Sequence, residues 1–436
     1  MKKITLTPAR TLALMALSMF ILLWAVWYFG YRHFLIWLEG FSYFSTLPDF
    51  MAAHKEMPYG LLAYVGSFLH QFYAMPAVGA AIQAFMATWI VICTGTALIC
   101  LLKNPEKALW ISLIPVPFFI GLQFWDFRML NSVLWFLIFA GILLTALAVS
   151  LIVRRKFDLP EILCKGFMNP LALAVVSVVT VYMLVFMDPR NRVHEEQVRL
   201  QHLGETHQWD EILNTVSTAD AKSDDLKMRY VLLALSEKGM LADHAFSYGL
   251  GNSDDFIFYE NINPLCLHYN ALFYQCSGMH NAAIHQLYQQ GVQSSFGVSF
   301  STLRRLADIY IELKDYELAR KYIDILSHST CHGKWVKERL PQLEAIRNAE
   351  PGYSDDGQEA TISNFIHTAV AMARMYPENR KYADLMLCSF LADGDIEGFV
   401  RCFDEVAKIH YPSGSGIPDV YKDAMELATI VGQANQ

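Results

Sequence analysis

The chain has 436 residues, 54% of them hydrophobic, and a formal net charge of −8. That charge is divided: residues 1–187 hold twelve basic and seven acidic side chains, or +5, and the remainder carries −13. A segment at −13 with no Lys/Arg cluster excludes nucleic-acid binding, which needs cations to displace counterions from phosphate, and the same sign disfavours adhesion to anionic lipid.

The break near 187 predicts two domains, a membrane domain over 1–187 and a water-soluble one over 188–436. A spanning helix needs about 20 apolar residues, because its backbone polar groups must pair internally where water is absent. Five uncharged segments qualify: 11–30, 77–102, 108–124, 129–153 and 170–187. The third contains Pro115 and Pro117, which predict a kinked or partly unwound span. The first follows Lys2, Lys3 and Arg10 but has no small-x-small cleavage site, so it reads as a retained anchor. Its Trp24, Trp27 and Tyr28 suit a membrane interface.

Between the first two spans, 34–44 and 60–75 are apolar but short, and they read as interfacial or re-entrant helices. With the N-terminus in the cytoplasm, nine Lys/Arg fall in inside segments and five in outside ones, the sense that positive-inside loops favour. Five spans then place the soluble domain outside the cytoplasm. If 60–75 crossed, that domain would lie in the cytoplasm instead.

From about His194 the apolar residues recur at helical spacing in short segments separated by Gly, Asp or Pro. They fall in pairs: 195–202 with 209–217, 226–237 with 241–248, 265–277 with 281–290, 302–313 with 316–326, and 381–392 with 396–409. Leu303-x-x-Leu306-Ala307-x-x-Tyr310, followed by Ala319, Ile323 and Leu326, resembles a tetratricopeptide (TPR) repeat. Gly394-Asp395-Ile396 with Phe399, Phe403 and Val406 is a looser copy. The expected fold is all-α: a polytopic transmembrane bundle followed by an irregular TPR-like α-solenoid with a concave face for a partner.

Three stretches carry a family resemblance. They are Pro58-Tyr59-Gly60-Leu61 through Gln71-Phe72-Tyr73 to Pro76 and Gly79-Ala80; Gln208-Trp209-Asp210-Glu211-Ile212 with Leu233 to Leu241; and Tyr411-Pro412 to Ala424. With these the chain resembles an uncharacterised bacterial family of multi-span inner-membrane proteins with a TPR-like C-terminal domain. That family usually has Pro-Gly-Gly-Leu at the first motif and often more spans. The resemblance implies an architecture and no activity.

No phosphate-binding loop, dinucleotide fingerprint, nucleophile elbow or zinc-ligand pairing occurs. No catalytic, cofactor-binding or metal residue is assigned, and no cofactor is expected. His280 and His285 read as ordinary polar residues, and Cys331-His332 as unreactive. Cys388 and Cys402 face each other across a predicted hairpin, where an oxidising compartment permits a bridge.

The leading expectation is a non-enzymatic multi-pass protein of a bacterial inner membrane. Its partners are the bilayer and a protein bound in the envelope by a periplasmic domain. The second is an enzyme similar in outline to polytopic glycosyltransferases that use lipid-linked sugars. Its site would be the outer loop 31–76, with Glu39, Asp49, Glu56, His70 and Gln71, and with Asp49 as base or metal ligand. Asp126 and Arg128, in the turn between spans three and four, are candidates for an ion pair at the membrane edge.

Overall fold

The computed structural model describes residues 7–101, 105–125, 129–156, 170–259, 263–294, 296–352, 365–412 and 416–434. Among them there is helix and no strand. Asp126, Arg128 and the loop cations Lys2, Lys3, Lys103 and Lys165 lie outside the described residues.

Two compact units emerge. The first comprises 1–196 with 299–301 and 323–340; the second comprises 197–298, 302–322 and 341–436. The first runs through α1 (Pro8–Gly30), α2 (Arg32–Gly40), α3 (Pro48–Lys55), α4 (Gly60–His70), α5 (Pro76–Leu101), α6 (Pro105–Ile111), α7 (Pro115–Trp125), α8 (Met129–Lys156), α9 (Pro170–Val181) and the start of α10 (Pro189–Glu205).

Among the described residues, four helices are long and apolar enough to cross a membrane: 8–30, 76–101, 107–125 and 132–152. A fifth is added if α9, its five-residue π continuation and α10 count as one span bent by 75°. Thr7 starts α1 by accepting from the Arg10 N–H, with Pro8 in the first turn where its missing donor is harmless. The third span is broken between Ile111 and Pro115, as its prolines predict.

α1 packs against α5 and α9, and α5 against α8. Close approach of α1 and α5 depends on Gly95, where a Cβ would fall 2.7 Å from Leu12 Cδ1. At the other end of the pair, Trp24 Nε1 donates to the Ala77 carbonyl at 2.9 Å. α2 buries Phe34, Leu35 and Leu38 inside the unit. α4 differs: it packs on α8 and α3 yet leaves Leu61, Val65 and Phe68 exposed. Its 11 residues extend about 16 Å, half of a bilayer core.

In the second unit follow α11 (Trp209–Thr215), α12 (Thr218–Ser223), α13 (Asp225–Glu237), α14 (Leu241–His244), α15 (Pro264–Cys276), α16 (His280–Val292), α17 (Phe300–Glu312), α18 (Tyr316–Ser327), α19 (Gly333–Ala345), α20 (Phe365–Met375), α21 (Arg380–Ala392), α22 (Ile396–His410) and α23 (Asp419–Ala434). The end residues of α17, the last turns of α18 and most of α19 contribute to the first unit.

Five helix ends close in one way. His207, Gly239, Gly278, Lys314 and Gly394 are left-handed, with φ between 54° and 74°. The N–H of the next residue then returns to a carbonyl five positions back. Gln208 bonds to Leu203, Met240 to Leu235, Met279 to Tyr274, Asp315 to Tyr310 and Asp395 to Phe390, at 2.8–2.9 Å. This is the Schellman closure, which satisfies orphan carbonyls and turns the chain back. Each closure joins two helices of a predicted pair.

The pairs do not form an open row. Ten of the 13 residues of α13 are buried, and ten of 13 in α15. Helices buried on all sides belong to an interior. α13 packs against both α15 and the distant α21. Lys381 at the start of α21 reaches Glu237 and the Cys276 carbonyl, and Tyr382 Oη donates to the Ser277 carbonyl at 3.1 Å. The apolar residues that line the first helices all round draw the array closed.

Candidate functional site

The loop 31–76 brings three of its five candidate residues together. Glu39 lies in the last turn of α2, and the apolar face of that helix carries it inside, to 1% exposure. His332, 3% exposed, places Nε2 2.7 Å from Glu39 Oε1. Its Nδ1 lies 2.8 Å from Ser329 Oγ, and its ring packs 4.0 Å from that of Phe300. His70 is buried beside them; burial holds its imidazole down to about 4, against a smaller opposing effect of Glu39. Gln71 Oε1 accepts from the Thr330 N–H at 2.9 Å.

Backbone bonds extend the seam, from Phe300 to the Ser42 carbonyl and from Thr46 to that of His328, each 2.8 Å. Asp49 and Glu56 are exposed and do not join it. Both His332 nitrogens are engaged, and the Ser329 hydroxyl also meets the Leu326 carbonyl at 2.9 Å. The cluster ties the ends of α2 and α4 to 328–332.

A second tie lies where α1 and α9 end. The Tyr31 hydroxyl donates to the Phe186 carbonyl. Glu195 caps α2, accepting from the Phe34 N–H at 2.8 Å and facing His33 Nδ1 at 2.9 Å. A carboxylate at a helix N-terminus satisfies orphan donors and meets the positive end of the helix dipole. Trp27, Phe34, Phe124 and Phe186 pack around this point with ring centroids 4.7–6.3 Å apart.

The second unit holds a buried polar centre that the sequence reading did not single out. His268 on α15 is fully buried, with Nε2 3.3 Å from Glu205 Oε1 of α10. Arg305 on α17, 7% exposed, donates to the His268 carbonyl and to Gln275 Oε1, both at 3.1 Å. Tyr230 on α13 is fully buried; a Cβ on Gly204 of α10 would fall 3.0 Å from its ring. Burial, then the Glu205 charge, push the Tyr230 phenol well up. Burial, then Arg305, hold His268 well down, so its ring is neutral. The available signal was a polar residue inside each of two largely apolar runs, Tyr230 among Met228–Leu235 and His268 among Leu265–Leu272; Arg305 stands beside Arg304 and carried no such signal.

His280 pairs with Glu312 at 3.0 Å. Burial and the Glu39 charge push the Cys331 thiol up, away from the reactive thiolate. Cys388 and Cys402 carry free thiols, and Cys388 Sγ sits 3.6 Å from the Tyr421 hydroxyl. No group of three or more potential metal ligands occurs among the described residues.

No curated protein and no solved structure matches the chain. The profile of a family of unknown function (DUF6057) matches residues 7–188 and 144–436, nearly the whole length. The chain belongs to that family.

Proposed function

We propose that this is a multi-pass protein of a bacterial plasma membrane that crosses five times, with its N-terminus cytoplasmic. Its helical-hairpin domain then lies on the outer side and works by binding a protein partner in the envelope. The observation that carries the topology is the tie between the ends of α1 and α9. Tyr31 follows the first span, and Phe186 ends the apolar run that precedes the charged α10, so their bond supports a reading in which both ends meet one face of the membrane. An even number of crossings must separate them, and α5, α6–α7, α8 and α9 supply four. Thr46 and Gln71 flank α3 and α4, and both bond within 328–330. The chain thus enters and leaves that hairpin on one side, which supports an interfacial place for α4.

The shared Schellman closures support a helical-repeat origin for the outer domain, and the TPR-like series in α17 and α18 agrees with it: Ala307 and Ala319 are fully buried where the helices meet. Because the first helices are enclosed, a partner reaches the second helices. α16 exposes Tyr288 and Val292, one turn apart. No observation favours the glycosyltransferase reading.

Two readouts test the proposal in cells. Alkaline phosphatase fused after Gln436 is expected to be active, and a fluorescent protein that matures only in the cytoplasm is expected to stay dark; the reverse pair overturns the topology. A photo-crosslinking residue at Val292 is expected to give a discrete protein adduct. Adducts no different from those at Leu144, which faces lipid on α8, would remove the partner reading.

A further inference from the structure

The first helices of four hairpins in the second unit direct polar groups to one place. α10 supplies Gln201 and, one turn on, Glu205; α13 supplies Tyr230; α15 supplies His268; α17 supplies Arg305. Glu205 and Arg305 offset each other in charge. The other three are left with unused capacity. The Tyr230 hydroxyl, His268 Nδ1 and Gln201 Oε1 have no hydrogen-bond partner among the described residues, while His268 Nε2 faces Glu205 Oε1 at 3.3 Å. Tyr230 and His268 are fully buried and Gln201 is 7% exposed, so bulk water does not serve them. Buried polar groups are otherwise almost always paired.

We propose that this centre is a closed binding site for a neutral hydroxyl-bearing molecule, either ordered water or a small polyhydroxylated solute. Charge balance at Glu205 and Arg305 rules against an ionic guest, which would enter without a counter-charge. With Nε2 turned to the Glu205 carboxylate, His268 offers Nδ1 as an acceptor; the amide oxygen only accepts, and the phenol does both. A hydroxyl is the group that answers all of these, because it donates and accepts from one atom. The site is assembled only when four hairpins stack, so occupancy reports that the array has closed.

The test turns on a sign. If Tyr230 Oη had no partner at all, Tyr230→Phe would relieve a desolvated group and leave the melting temperature unchanged or higher. A held guest requires the opposite: a fall of about 2–4 °C or more for Tyr230→Phe in the full-length chain in detergent. The near-isosteric Gln201→Met, made separately, is expected to fall in the same sense. Native mass spectrometry then separates the sources. A mass excess that vanishes in Tyr230→Phe identifies a solute, and no excess together with the melting shift identifies water. Melting temperatures at or above the parent in both variants overturn the proposal.

Discussion

Glu39→Ala is expected to be among the most damaging single changes in the first unit, costing about 3 kcal/mol. The carboxylate lies 2.7 Å from His332 Nε2, with 1% and 3% exposure on the two sides. Removing one member of a buried pair leaves the other without its partner and without water, which typically costs ~3–5 kcal/mol. At roughly 2–4 °C per kcal/mol for a unit of this size, the melting transition falls by about 6–12 °C. His332→Ala is expected to match it. The double variant should then cost well under the sum, since the two groups are coupled. Glu39→Gln keeps an acceptor near the imidazole and is expected to lose only about 1 kcal/mol. Strict additivity in the double variant, read by thermal unfolding, would mean that the two residues act independently.

Gly60→Ala should be about as severe, for a steric reason. A Cβ at Gly60 would stand 1.5 Å from the His54 carbonyl oxygen and 2.6 Å from its carbon. Those are backbone atoms, held by α3, so no rotamer relieves the clash. His54 is buried and its ring bonds the Phe50 carbonyl at 2.7 Å, which fixes the end of α3 further. Overpacking typically costs about 1–3 kcal/mol, and a clash with fixed backbone belongs at the upper end of that range. Gly30→Ala is the control: nothing lies within 4 Å of a Cβ there, and the change is expected to be nearly neutral. Similar melting temperatures for the two variants would show that α3 and α4 do not meet as described.

Much of this was legible from residue order alone, and for identifiable reasons. Spans are set by uninterrupted apolar length, a one-dimensional property, and a helix over 76–101 falls where 77–102 was expected. Pro115 and Pro117 declared the break in the third span. Hairpin turns were visible at Gly239, Gly278 and Gly394, which adopt the left-handed conformation that glycine tolerates best. At Tyr59 the chain has tyrosine at φ 57°, at the position where the family it resembles usually has glycine.

What escaped were pairings across long stretches of chain. Glu39 was noted as an outer-loop acid, but nothing near it in sequence indicates His332. Asp49 and Glu56 looked equivalent to Glu39 as carboxylates; only the burial of α2 separates them. Closure of the hairpins was equally hidden, because an apolar residue on a first helix reads the same whether its neighbour is the next hairpin or one far along the chain.

The interleaving of the two units bears on how the protein is made. Glu39 precedes His332 by 293 residues. At ~5–20 residues per second, about 15–60 s of synthesis separate them. Over that interval the spans are inserted while the loop after α1 lacks segments 299–301 and 323–340, and Glu39, Ser42, Thr46 and Gln71 must remain solvated or guarded by another protein. Maturation of the membrane unit is thus tied to the near-completion of translation, and a chain truncated before residue 328 keeps its spans but never seals the seam above them.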